Sequence, residues 1–225
     1  MQPAHWPIDG TPDVPDGAID VPRALIESTG SVAAALLWQT LDSRACRYEY
    51  EYEYEYGEAW FDLDQARVTG AVGLTGWETE CALRALVERG FIAARCAGQA
   101  IELRVLRKPD VRRSVLDADE PDAVVEAPAG GITVWHAHTA RAGGVNAGLM
   151  LAFVSAESIV AAQENPWAEG WFALDHDYLE AAICLSRWDA DRARLHLRQI
   201  GLLQEWRVRR PQVTLLRANP GEIDA

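Results

Sequence analysis

Apolar positions Val32, Leu36, Leu37 and Leu41 recur at three- and four-residue spacing after Gly30-Ser31, which predicts an amphipathic helix with a serine cap. The period then changes to two. Arg47-Tyr48-Glu49-Tyr50-Glu51-Tyr52-Glu53-Tyr54-Glu55-Tyr56-Gly57 alternates strictly and leads toward Trp60-Phe61-Asp62-Leu63. The alternation predicts a strand with tyrosines on one face and Glu49, Glu51, Glu53 and Glu55 on the other. Asp64 can cap a short helix through Ala71-Val72 that breaks at Gly73. Thr75-Gly76-Trp77-Glu78 and Ser186-Arg187-Trp188-Asp189 both fit the reciprocal capping box, so helices are expected to start at Thr75 and Ser186. Gly90 and Gly201 supply the left-handed turns that stop them. Hairpins follow, Phe91-Ile92 to Arg95 with Ile101 to Val105, and Leu202-Leu203 to Val208 with Val213 to Leu216.

The parallel between these segments is an internal repeat. Residues 60–95 align without a gap on residues 171–206, and Trp60, Phe61, Leu63, Asp64, Ala71, Leu74, Trp77, Ala82, Leu86 and Gly90 recur 111 positions later. These ten identities exceed the roughly three that composition alone would give. Upstream the offset is 113 and pairs Ile19, Val21, Ala24, Gly30, Val32, Ala34 and Leu36 with Ile132, Val134, Ala137, Gly143, Val145, Ala147 and Leu149. The expected organisation is an extension over 1–16, one domain over 17–107, an acidic proline-punctuated linker over 108–129, a second domain over 130–218 and a tail over 219–225.

Each copy reads helix, strand, helix, turn, helix, hairpin. That is the winged-helix order, so the expected fold class is α+β, mainly helical, with two tandem winged-helix domains produced by duplication. The string Trp60-Phe61-x-Leu63, Gly73-Leu74-Thr75, Ala82-Leu83-x-x-Leu86-x-x-x-Gly90-Phe91-Ile92 resembles the winged-helix domains of phage and plasmid replication initiators and related mobile-element regulators. The resemblance implies binding to double-stranded DNA, with the Thr75–Arg89 or Ser186–Ile200 helix in the major groove and the hairpin on the backbone or minor groove. It also implies a role in replication initiation or transcriptional regulation.

Charge complicates that implication. The formal net charge is -13, with the acidity outside 130–218, where acids and bases are equal in number. In the first copy Glu78 and Glu80 would face phosphates and repel them. The second copy carries Arg187 and Arg192 on its helix and Arg207, Arg209 and Arg210 on its wing, making it the expected DNA reader together with Trp188. Read plainly, the same arginines are a solvated surface offsetting Asp189, Asp191 and Glu205; Arg194 stands where the first copy has Leu83 and interrupts the core pattern. Trp77 and Trp188 are either core residues or exposed anchors.

The alternative is a module that binds a basic protein, resembling the acidic tandem winged-helix subunits of SMC complexes or an acidic DNA mimic such as a phage-borne inhibitor. Glu49, Glu51, Glu53, Glu55, Trp77 and Trp188 would carry that binding, since carboxylates two apart on a strand stand about 6.6 Å apart, close to the spacing of phosphates. The plainer reading of the glutamates is a solvated edge strand. A homodimer built on the repeats is a third possibility.

Cys46, Cys81, Cys96 and Cys184 lack a Cys-x-x-Cys pair and suit reduced, mostly buried thiols. His136 and His138 share a face if their segment is a strand, but no third ligand lies nearby, so no metal or cofactor is expected. No phosphate-cradling glycine loop or nucleophile elbow occurs, and an enzyme is not expected. Met1-Gln-Pro-Ala-His-Trp-Pro lacks the basic and apolar regions of a signal peptide, and no run approaching about 20 apolar residues is apparent, so a cytoplasmic protein without membrane contact is expected.

Overall fold

In the computed structural model, residues 18–52, 60–63, 72–97, 100–106, 131–209 and 213–219 are described. The first half contains β1 (Ala18–Pro22), α1 (Arg23–Thr29), α2 (Val32–Tyr52), β2 (Phe61–Asp62), α3 (Gly76–Glu88), β3 (Ile92–Ala97) and β4 (Ala100–Val105). The second contains β5 (Gly131–Trp135), α4 (His136–Ala142), α5 (Val145–Glu164), a 3-10 turn (Pro166–Ala168), β6 (Phe172–Ala173), α6 (His176–Ile183), α7 (Arg187–Gln199), β7 (Leu203–Val208) and β8 (Val213–Ala218). The fold is mixed helix and strand with small sheets, as the α+β expectation requires.

Two three-stranded sheets share one order, β2-β4-β3 and β6-β8-β7. Their hairpins also share a register: Ile92 opposes Val105 as Leu203 opposes Ala218, and the β7–β8 turn is two residues longer, which returns the offset from 111 to 113 along the last strand of each sheet. Inward residues of the hairpins and of α2, α3, α5 and α7 join one connected core that draws on both halves. Leu36, Leu74, Leu86 and Leu103 of the first half and Met150, Leu197 and Leu216 of the second are fully enclosed.

β1 and β5 form an antiparallel ladder between the halves. Asp20 opposes Thr133, Ala18 opposes Trp135 and Pro22 opposes Gly131. The central pair is itself separated by 113 positions, so the ladder is symmetric about equivalent residues, the pattern of a two-fold isologous contact. Val21, Ile132 and Val134 point inward along it, and the Thr133 hydroxyl donates to Asp20 Oδ1 at 2.8 Å across its outer side. After the ladder the chain turns at once into α1 and α4, which stop at Gly30 and Gly143, whose φ of 92° and 76° are left-handed values that a side chain opposes.

Gly148 of α5 meets the backbone of α4: a Cβ there would lie 2.8 Å from Thr139 N and Cα. Gly148→Ala is therefore expected to destabilise the chain by about 1–3 kcal/mol. Urea unfolding measures this, and an unshifted midpoint would show that α4 moves aside freely.

Several expectations are corrected. The Tyr/Glu segment does not begin a strand, because α2 continues through Tyr52; Glu49 and Glu51 lie on helical backbone, while Glu53 and Glu55 fall outside the described residues. Once a helix is nucleated each further residue is cheap to add, and glutamate and tyrosine tolerate it, whereas a strand would line up unopposed like charges. His136 and His138 lie in α4, where positions two apart are about 200° around the axis and share no face.

Cys81 and Cys96 are exposed and Cys184 is half-buried, so the described thiols are not mostly buried. Burial raises the Cys184 thiol pKa even though Arg23 opposes the shift. One described helix, α5, is long and apolar enough by composition to cross a membrane, but half of that stretch is buried in this fold. Asn146, Ser155, Glu157 and Ser158 interrupt its apolar run, so the sequence shows no unbroken apolar stretch there. The expected extension, linker and Asp64 cap fall outside the described residues.

Candidate nucleic-acid interface

The first turn of α7 is set by Ser186, whose hydroxyl accepts from Asp189 N at 3.2 Å and donates to Asp189 Oδ2 at 2.6 Å. That cap, with Ala190, Ala193 and Leu197 facing inward, turns Arg187 and Trp188 to the surface. Trp188 is 59% exposed. Arg192, one turn later, lays its guanidinium 4.5 Å from the Trp188 ring centroid, the cation–π geometry that an i,i+4 pair permits.

α3 presents the equivalent residue. Thr75 and Glu78 form the complete capping box, and Ala82 and Leu86 carry the inward face. Trp77 is left 53% exposed, and Arg192 reaches within 5.6 Å of its ring centroid. Neither tryptophan is a core residue. Together with Arg192 they make one surface patch to which both halves contribute.

The N-terminus of α5 fixes the distance between the two first turns. Glu78 accepts from Asn146 N at 2.9 Å and Val145 N at 3.3 Å, and Asn146 Nδ2 donates to Asp189 Oδ1 at 3.5 Å. Two helices bridged by a single asparagine start far closer together than the roughly 34 Å between successive major-groove half-sites. They cannot each occupy a groove one helical turn apart.

Beside this patch lies a cluster around Glu205 of β7, whose side chain is only 2% exposed. Its carboxylate is bound by Arg194, by Arg207 Nε at 2.6 Å, and lies 3.6 Å from Arg198. Arg194, 13% exposed, also holds Asp191 at 3.0 Å. Burial alone would raise the Glu205 pKa, but the hydrogen bonds and charges of Arg207 and Arg194 outweigh it and hold the carboxyl below its ordinary range. Arg194 therefore replaces Leu83 of the first copy together with a partner, because Glu205 stands where the first copy has Ala94.

Of the residues singled out in the sequence, Arg187, Trp188 and Arg192 are exposed on α7, Arg207 on β7 and Arg209 in the turn after it, and Arg210 lies outside the described residues. From Arg187 to Arg209 six arginines meet three carboxylates, while the matching stretch of the first copy balances three against three. Arg198, Asn146 and the reach of Glu78 went unread; only the paired Leu83/Ala94 to Arg194/Glu205 exchange left a signal in the repeat. Trp60 and Trp171 take matching roles elsewhere, under Arg104 at 5.0 Å and Arg217 at 4.8 Å. Comparison with known protein families, curated proteins and solved structures finds no match to this chain.

Proposed function

We propose that the chain is a pair of winged-helix units, related by duplication and joined about an internal pseudo-two-fold, that binds DNA through the second unit. The common strand order, the common hairpin register and the symmetric β1–β5 ladder support the duplicated winged-helix reading. Pairing of the repeats within one chain takes the place of the homodimer that either repeat alone would need.

The observation that carries the DNA reading is the surplus of arginine on α7 and β7. The cluster's buried carboxylate is shared among three arginines, and Arg192 packs on indole instead of an acid, so positive charge remains for phosphate. The competing basic-protein reading loses the strand on which its glutamate ladder depended, since Glu49 and Glu51 are helical. The initiator and mobile-element resemblance makes an origin or an operator the proposed target.

Arg192→Glu combined with Arg209→Glu is expected to weaken binding to a genomic fragment library by about 100-fold or more, and to flatten the dependence of affinity on salt by roughly two phosphate equivalents. Fluorescence anisotropy at several salt concentrations reads both quantities. Equal binding by the wild type and the double variant would sink the proposal.

A further inference from the structure

We infer that the Trp77–Arg192–Trp188 patch is a stacking platform for unpaired bases, so that the preferred ligand is DNA with a single-stranded segment. The inference rests on the DNA-binding reading above and specifies the form of DNA.

Groove readout wants side chains that present donors and acceptors to base edges, as Arg, Asn and Gln do. The first turns of α3 and α7 instead present an indole each, 53% and 59% exposed, with one donor apiece and two broad ring faces. Their separation, set through Glu78, Asn146 and Asp189, is wrong for two half-sites on a duplex but suits neighbouring bases of one strand. Between the rings lies Arg192, and Arg187 is exposed beside Trp188. Aromatic faces interleaved with cations are the arrangement by which single-stranded nucleic acid is held, bases on the rings and phosphates on the arginines.

The asymmetry between the halves fits the same ligand. Cys81 is the counterpart of Arg192 in the repeat, so Trp77 has no cation of its own at that position and shares the one from the second half. A strand would run from the arginine-rich surface of α7 across Trp188 toward Trp77, losing charge contacts as it reaches Glu80.

The test uses the full chain with labelled oligothymidylate and a blunt duplex of the same length. Tighter binding of oligothymidylate, with quenching of tryptophan fluorescence, is expected. Trp188→Ala and Trp77→Ala should each weaken it by roughly 5- to 150-fold, the range spanned by stacking of one base. Trp188→Phe, which keeps a ring, should retain most of the affinity, and Trp167→Ala, at a 94% exposed tryptophan outside the patch, should retain all of it. If the duplex binds as well as the single strand and the tryptophan variants bind like wild type, the stacking inference is overturned while DNA binding stands. If neither DNA form binds, the DNA reading itself is overturned.

Discussion

Glu205→Ala is expected to destabilise the chain by about 3–5 kcal/mol, because it leaves the enclosed Arg194 guanidinium without its principal counter-charge. Asp191, nearly half exposed, remains as a partial substitute and keeps the loss from exceeding that range. The first half shows how the same place can be filled without charge, with Leu83 and Ala94. Arg194→Leu combined with Glu205→Ala copies that solution, and it should recover most of the lost stability. Urea unfolding of the single and double variants decides: equal losses in both would mean that the ion pair is not what supports the β7–β8 hairpin. The pH dependence has a definite sign. Since the folded-state pKa of Glu205 is held below the ordinary value of 4.5, its contribution is fully present above that pH and is lost as pH falls through the folded value. Wild-type stability should therefore decline more steeply below about pH 4.5 than that of the double variant.

The same exchange illustrates what a single sequence can disclose. Leu83 to Arg194 looks like a defect in an apolar pattern when α7 is read alone, and it becomes intelligible only when the hairpin brings residue 205 against residue 194. Local chemistry was legible: the Thr75 and Ser186 caps, the Gly90 and Gly201 stops and both hairpins occur where short-range rules put them, because each depends on residues within a few positions of one another. The Tyr/Glu run failed for the opposite reason. A period of two is a statement about burial on one face, and nothing in residues 48–52 obliges the backbone to leave a helix already under way.

The contact between the halves was least legible. Ile19/Val21 and Ile132/Val134 alternate over only two apolar positions each, too short a signal to mark strands, and their partners, Ile19 with Val134 and Val21 with Ile132, lie in opposite halves of the chain. Once that ladder and the α5 N-terminus bring the first turns of α3 and α7 together, Trp77 and Trp188 stop being separate ambiguities and become one patch. The repeat identified equivalent residues, but equivalence does not say which pairs meet.

Glu78 is the residue on which that meeting most depends, and Glu78→Ala is expected to cost about 3–4 kcal/mol, more than the loss of one cap. Its carboxylate accepts from Thr75 N at 2.9 Å and Thr75 Oγ1 at 3.0 Å within its own helix, and from Val145 N and Asn146 N at the start of α5. The repeat explains the division of labour. Ser31 caps α2 from its own chain position, accepting from Ala34 N at 3.1 Å, whereas the counterpart of Ser31 is Gly144, which has no side chain to offer. Glu78 supplies the missing cap from the other half and occupies the space a serine would need: a Cβ on Gly144 would lie 2.9 Å from Glu78 Oε2. Gly144→Ser should therefore be destabilising alone and less so in the Glu78→Ala background, where the clash with Oε2 is gone but the φ of 158° and Thr75 Cγ2 at 3.0 Å still oppose a side chain; independent sites would not show that non-additivity. Glu78→Asp, the length found at Asp189, should keep the bond to its own cap and lose the reach to α5, costing about 1–2 kcal/mol. Hydrogen exchange at Val145 and Asn146 should accelerate in both Glu78 variants, and additive effects of Glu78→Ala and Gly144→Ser would show that the two halves are not capped across their seam.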